Sequence, residues 1–156
     1  MICEDIKLKL WECKAKILAK NQGIPFYIRC KITYEKNNPY TNIDLNKING
    51  KFNIYIPIHK LKSNDEILVS IFHEYGHHIY NNTDKIKLKI LKIYYDENNY
   101  IRFHDDKQCT DEERFEEDFC ETFGRIVCFG FKPKDEEISH LINNIISIGI
   151  SKISKI

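Results

Sequence analysis

Residues 64–80 read NDEILVSIFHEYGHHIY, and the fold turns on this stretch. Ile67, Leu68, Ile71, Phe72, Tyr75 and Ile79 recur at helical spacing, and Ser63 with Glu66 forms a capping box just before them, so the pattern predicts a helix over 64–80. Asn81 and Asn82 end it. Within it His73 and His77 stand four residues apart, one above the other on one helix face, so two imidazoles can converge on a single ion. Glu74 lies about 100° round the helix from His73, near enough to reach a water on that ion without taking a ligand position. With six His and thirteen Glu in 156 residues, this His-Glu-x-x-His pattern arises by chance about 2% of the time, before any helix is required. Gly76 costs a helix roughly 1 kcal/mol relative to Ala, which favours a packing reason such as the close approach of another element.

A two-histidine site of the catalytic kind needs a third protein ligand and an open fourth position. Downstream, Thr110 with Glu113 is a second capping box, opening a helix over 110–129 on Phe115, Phe119, Phe123, Ile126 and Val127 that ends near Gly130. On it Glu113, Glu117 and Glu121 share one face, flanked by Cys120 and Gly124. Glu117 is the central one and the first candidate for third ligand; another carboxylate of the block, or His104, is the alternative. Glu121 is placed to accept a hydrogen bond from a ligand histidine's second nitrogen. His78 points about 100° away from His77 and is set aside as a ligand. The charge distribution draws attention to the same helix. Residues 105–121 carry nine acidic and two basic side chains, whereas residues 1–62 carry twelve basic and five acidic. Asp111, Glu112 and Glu116 are expected to be ordinary solvated surface.

Further out, Ile6, Leu10, Cys13 and Ile17, with Trp11 and Leu18, predict an amphipathic helix over 3–20. Residues 26–34 read as a strand. Asn49-Gly50, between Ile43, Leu45, Ile48 on one side and Phe52, Ile54, Ile56, Ile58 on the other, is a strong hairpin signal and predicts a small antiparallel or mixed sheet. A Lys- and Ile-rich helix over 84–95, a loop over 96–109 and a last helix from Pro133 through Ile138, Leu141, Ile142, Ile145 and Ile146 complete the chain. The expectation is an α+β fold in one domain, 1–156: an N-terminal helix, a small sheet, the histidine helix, then a helical C-terminal half.

A net charge of +1 gives no overall field toward nucleic acid or an anionic membrane, and the first half has scattered lysines with no stacking-aromatic motif. No apolar run of about 18 residues predicts a membrane span. Six cysteines without a Cys-x-x-Cys spacing, behind an N-terminus lacking signal-peptide character, read as reduced thiols in a cytoplasmic protein. Heavy use of Ile, Lys and Asn suits an AT-rich bacterial or phage genome.

The pair HEYGHHI (His73–Ile79) and EDFCETF (Glu117–Phe123) resembles the gluzincin-like zincin metallopeptidases, above all the anthrax lethal factor and Pro-Pro endopeptidase group, and also the ImmA/IrrE-type metallopeptidases of phages and mobile elements. The resemblance covers about residues 60–130. It implies one Zn²⁺ per chain held by His73, His77 and Glu117, with Glu74 as general base and Glu121 one turn beyond the ligand. It implies a zinc metalloendopeptidase acting on a protein or peptide laid along Phe52–Ile58 as an edge strand. Cys120 stands where the lethal factor group has alanine. The tyrosine those enzymes place shortly before the third ligand is replaced by Thr110 and acidic residues, leaving Tyr94, Tyr95, Tyr100 and His104 as the nearest groups to stabilise an oxyanion. The alternative expectation is a weakly active or inactive zincin-fold interaction module.

Overall fold

The computed structural model describes residues 4–34, 40–44, 46–59, 66–98, 101–103 and 109–156. The expectations attached to Cys3, Leu45, Ser63, Tyr100 and His104 lie outside the described residues. The chain is α+β, in the order α1 (Glu4–Asn21), β1 (Ile28–Thr33), β2 (Asn42–Ile43), β3 (Phe52–Pro57), α2 (Glu66–Asn82), α3 (Lys85–Asn98), α4 (Asp111–Phe129) and α5 (Glu136–Ile153). Among the described residues no helix is long and apolar enough to cross a membrane.

The sheet is mixed, in the order β1-β3-β2. Asn49 (φ 53°) and Gly50 (φ 77°) both take positive φ, as a type I′ turn demands, and Ile48 bridges to Lys51 across them. The arm before the turn returns as β2, antiparallel to β3 with Ile43 opposite Ile54. On its other side β3 pairs parallel with β1, Ile28 opposite Phe52 through Thr33 opposite Pro57. This corrects the edge-strand expectation for Phe52–Ile58: β3 is central, and the outer strands are β1 and the two-residue β2. β3 is also buried on both faces, Asn53 included.

α1 shows a second correction. Its predicted inward stripe faces water, with Ile6, Leu10 and Ile17 at 55%, 54% and 60% exposure. The helix instead buries Leu8, Ala15 and Ala19 and half-buries Trp11 and Leu18. Glu12 lies on that same stripe, and its carboxylate accepts the Cys30 backbone N–H at 2.8 Å, a donor on the outer strand β1. Two alanines let the helix come close to the sheet, and the bond blunts an edge that would otherwise offer a pairing site.

α2 is buried through Ile67, Ile71, Phe72, Tyr75 and Ile79 and packs most extensively on α4. Phe72 and Tyr75 meet Phe123 at centroid distances of 6.2 and 5.9 Å, and the Tyr75 hydroxyl donates to the Pro25 carbonyl at 2.6 Å. The helices touch where glycine permits it. A Cβ on Gly76 would lie 3.0 Å from Cys120 Cα, and one on Gly124 would lie 3.1 Å from the Val69 carbonyl oxygen. Thr110 caps α4 by accepting the Glu113 N–H, and Gly130 closes it in the left-handed conformation. α5 begins at Glu136 rather than at Pro133, because Asp135 accepts the N–H groups of Glu137 and Ile138.

α5 crosses α2 at Gly149, where a Cβ would stand 2.6 Å from Ile79 Cγ2 and 2.9 Å from the Ile79 carbonyl oxygen. Gly149→Ala is therefore expected to destabilise by about 1–3 kcal/mol despite its better helix propensity. At roughly 2–4 °C per kcal/mol for a domain of this size, thermal unfolding reads the loss directly. An unchanged or raised Tm would contradict the close approach.

Candidate metal centre

α2 presents His73 and His77 on one face, with ring centroids 5.2 Å apart, and the facing turn of α4 is built from carboxylates. His73 Nε2 lies 2.7 Å from Glu117 Oε2, and His77 Nε2 lies 3.4 Å from Glu117 Oε1. The two outer nitrogens are held separately: His73 Nδ1 lies 3.3 Å from Glu121 Oε2, and His77 Nδ1 lies 2.6 Å from Glu116 Oε2. Each ring thus has one nitrogen fixed by its own carboxylate and the other turned toward a shared one. That is how metal-binding imidazoles are oriented, since the outer partner fixes the tautomer and raises the basicity of the inner nitrogen. His73, His77 and Cys120 each offer a ligand atom, all within 4.8 Å of one another, close enough to bind a metal ion.

Electrostatics follow from the same contacts. Burial, the largest influence on His73, lowers its pKa, but hydrogen bonds to Glu117 and Glu121 and the charges of Glu117 and Glu74 outweigh it and lift the value to about 9. His77 moves up likewise: burial opposes, and the Glu116 hydrogen bond with the Glu117 and Glu74 charges prevails. Glu121 is held below the usual carboxylate range, first by its bond to His73 and also by the Arg125 guanidinium, which donates to it at 3.2 Å. The Cys120 thiol is pushed well up by burial and by Glu117, Glu116, Glu74 and Glu121 around it. Such a crowd of carboxylates is a place where a bound cation would relieve charge repulsion.

These groups open into a cleft of about 490 Å³ lined by Tyr40, Thr41, Val69, Ser70, His73, Glu74, His77, Glu117 and Glu121. The residues expected at the site, His73, Glu74, His77, Glu117 and Glu121, are brought together here. Tyr94 and Tyr95 are not. Tyr95 is buried, and its hydroxyl donates to Asp118 Oδ2 at 2.6 Å, away from the cleft lining. The tyrosine that does line the cleft is Tyr40, with Thr41 beside it on the wall leading into β2. His78 is structural: it is buried, stacks on Phe52 at 3.6 Å, and its Nε2 lies 2.8 Å from the Asp44 carbonyl. Burial lowers its pKa, so it is neutral and donates to that carbonyl.

Glu116, expected to be surface, is a correction that the site brings to the acidic block. It sits one position before Glu117, and because α4 crosses α2 with His77 between those two positions, both carboxylates reach the ring. Asp118 is neither ligand nor surface. Fully buried, it ties Tyr95 and the Phe103 N–H (3.0 Å) to α4. Phe103 in turn lies under the Arg125 guanidinium, 4.1 Å from ring centroid to carbon, and Arg125 holds Glu121. A continuous line of contacts thus runs from residues 101–103 to His73. The sequence signal for Asp118 was its place at the start of the Phe119 turn, on the apolar side of the helix.

No known protein-family model, curated protein or solved structure matches this chain.

Proposed function

We propose that the chain is a zinc-dependent metallopeptidase of the gluzincin-like zincin type, hydrolysing peptide bonds of a protein or peptide. The observation that carries this reading is the convergence of His73 Nε2 and His77 Nε2 on Glu117, with both Nδ1 atoms held by Glu121 and Glu116. The donor set fits zinc, which favours imidazole, carboxylate and thiolate ligands. When bound, zinc lowers the pKa of a coordinated water to about 7 and polarises the scissile carbonyl.

The chain's own residues supply the rest. His73, His77 and Glu117 would hold the ion. Glu74, half-buried on the cleft wall, next to His73 and three residues before His77, would take the proton of the attacking water and pass it to the leaving amine. Tyr40, Thr41 and Ser70 line the same cleft, and a hydroxyl from this group is proposed to donate to a developing oxyanion. A peptide can extend from the cleft along β2, an outer strand among the described residues that follows directly from Tyr40 and Thr41, rather than along the central β3. The cytoplasmic setting belongs to this reading.

The test begins with metal. Protein stripped with a chelator and returned to zinc is expected to take up one equivalent per chain. A peptide library incubated with it should be cleaved only in the zinc-loaded state, read by mass spectrometry. Failure to retain stoichiometric zinc ends the proposal.

A further inference from the structure

We propose that Cys120 is itself a ligand of the metal at this centre, so that the ion is held between α2 and α4 by two nitrogens and a sulfur. The inference rests on His73 and His77 forming a metal site but not on hydrolysis. Its basis is position. Cys120 is fully buried on the face of α4 that meets Gly76, the residue next to His77. A Cβ on Gly76 would stand 3.3 Å from its Sγ, so the sulfur lies in the gap that this glycine leaves open. From there it comes within 4.8 Å of a ligand nitrogen on each histidine. Tetrahedral zinc at ordinary bond lengths sets two nitrogens about 3.4 Å apart and a nitrogen and a sulfur about 3.6 Å apart. Side-chain shifts on the order of 1 Å would bring the three donors to those separations.

The sulfur and Glu117 approach from different sides. Cys120 is not part of the cleft lining, whereas Glu117 lines it and its side chain is 40% exposed. The inner donors are therefore His73, His77 and Cys120, and Glu117 is the cleft-side donor; with all four in place, the water that Glu74 acts on would enter from the cleft as a fifth ligand. Binding converts the Cys120 thiol to a thiolate and releases its proton to solvent, so the ion gains one S–metal bond for one S–H bond lost. A sulfur donor also biases the centre toward zinc, cobalt and cadmium and away from magnesium, calcium and manganese.

Cobalt(II) is the probe. Metal-free protein titrated with Co²⁺ is expected to develop, saturating at one equivalent, visible ligand-field bands together with a near-ultraviolet thiolate-to-cobalt charge-transfer band. Cys120→Ala and Cys120→Ser should keep the visible bands and lose the charge-transfer band, and should bind zinc at least about a hundredfold more weakly. Serine is the second variant, keeping the volume of the thiol should alanine loosen the helix contact, and circular dichroism checks the fold of both. Visible bands without a charge-transfer band in the wild type overturn the inference and leave the metal centre standing. So does a band that persists in both variants, since it would come from another cysteine. Absence of any cobalt binding overturns the metal centre itself.

Discussion

Glu74→Gln is expected to bind zinc as the wild type does and to cleave peptide about a hundred- to ten-thousand-fold more slowly, the range by which a positioned general base accelerates a reaction. The substitution is nearly isosteric, so the amide still fills its place on the wall of α2 beside the histidines. What it lacks is a lone pair basic enough to take a proton from water. Zinc retention and hydrolysis should therefore separate cleanly, with metal content unchanged and turnover lost. A variant that cleaves as fast as the wild type would remove Glu74 from the mechanism. A wild-type protein that holds its zinc and cleaves nothing would turn the balance to the alternative, an interaction module using the same cleft.

The local elements were legible because their signals are local. Thr110, Gly130 and the spacing of Phe115, Phe119 and Phe123 give α4 within a residue or two, and Asn49-Gly50 gives the turn. What resisted reading was set by partners distant in sequence. α1 carries two stripes, one of isoleucine and leucine and one of Leu8, Ala15 and Ala19. The elements it packs on, β1 and α2, choose the second, with Glu12 satisfying the Cys30 N–H of β1. β3 alternates strictly and so resembled a strand with one wet face. The parallel neighbour β1 covers one side and β2 part of the other, and nothing in residues 52–57 states which strands those are.

The site divides along the same line. His73, Glu74 and His77 are fixed by a four-residue spacing on a helix whose existence is strongly signalled. Glu117 and Glu121 follow from the next carboxylate-bearing helix. Glu116 and Tyr40 do not follow, because each depends on an angle between elements: the crossing of α4 over α2 for Glu116, and the path of the segment into β2 for Tyr40. Among the described residues, the acidic block resolves into three jobs. Asp111, Glu112 and Glu113 are exposed at the N-terminus of α4, where negative charge is favoured by the helix dipole. Glu116, Glu117 and Glu121 face the histidines, and Asp118 is structural.

Asp118→Ala is expected to destabilise the chain by about 3–5 kcal/mol, a large part of the 5–15 kcal/mol that holds a typical domain folded. Asp118 is 0% exposed and, among the described residues, accepts from the Tyr95 hydroxyl at 2.6 Å and the Phe103 N–H at 3.0 Å. Each bond to a charged acceptor contributes about 1.5–3 kcal/mol, and Tyr95, only 2% exposed, has no ready access to water once its acceptor is gone. Burying the carboxylate is tolerated because both donors meet it and because the Arg102 guanidinium lies over the Tyr95 ring, 4.4 Å from its centroid. Asp118→Asn keeps one acceptor oxygen and should cost about half as much. At roughly 2–4 °C per kcal/mol, the alanine variant should unfold about 6–20 °C below wild type, with the asparagine variant between them. Since Asp118 adjoins Glu117 on α4 and anchors Phe103, which reaches Glu121 through Arg125, the asparagine variant should also bind zinc more weakly while still folded. Equal melting temperatures for Asp118→Ala and wild type would show that Tyr95 and Phe103 are held by something other than this carboxylate.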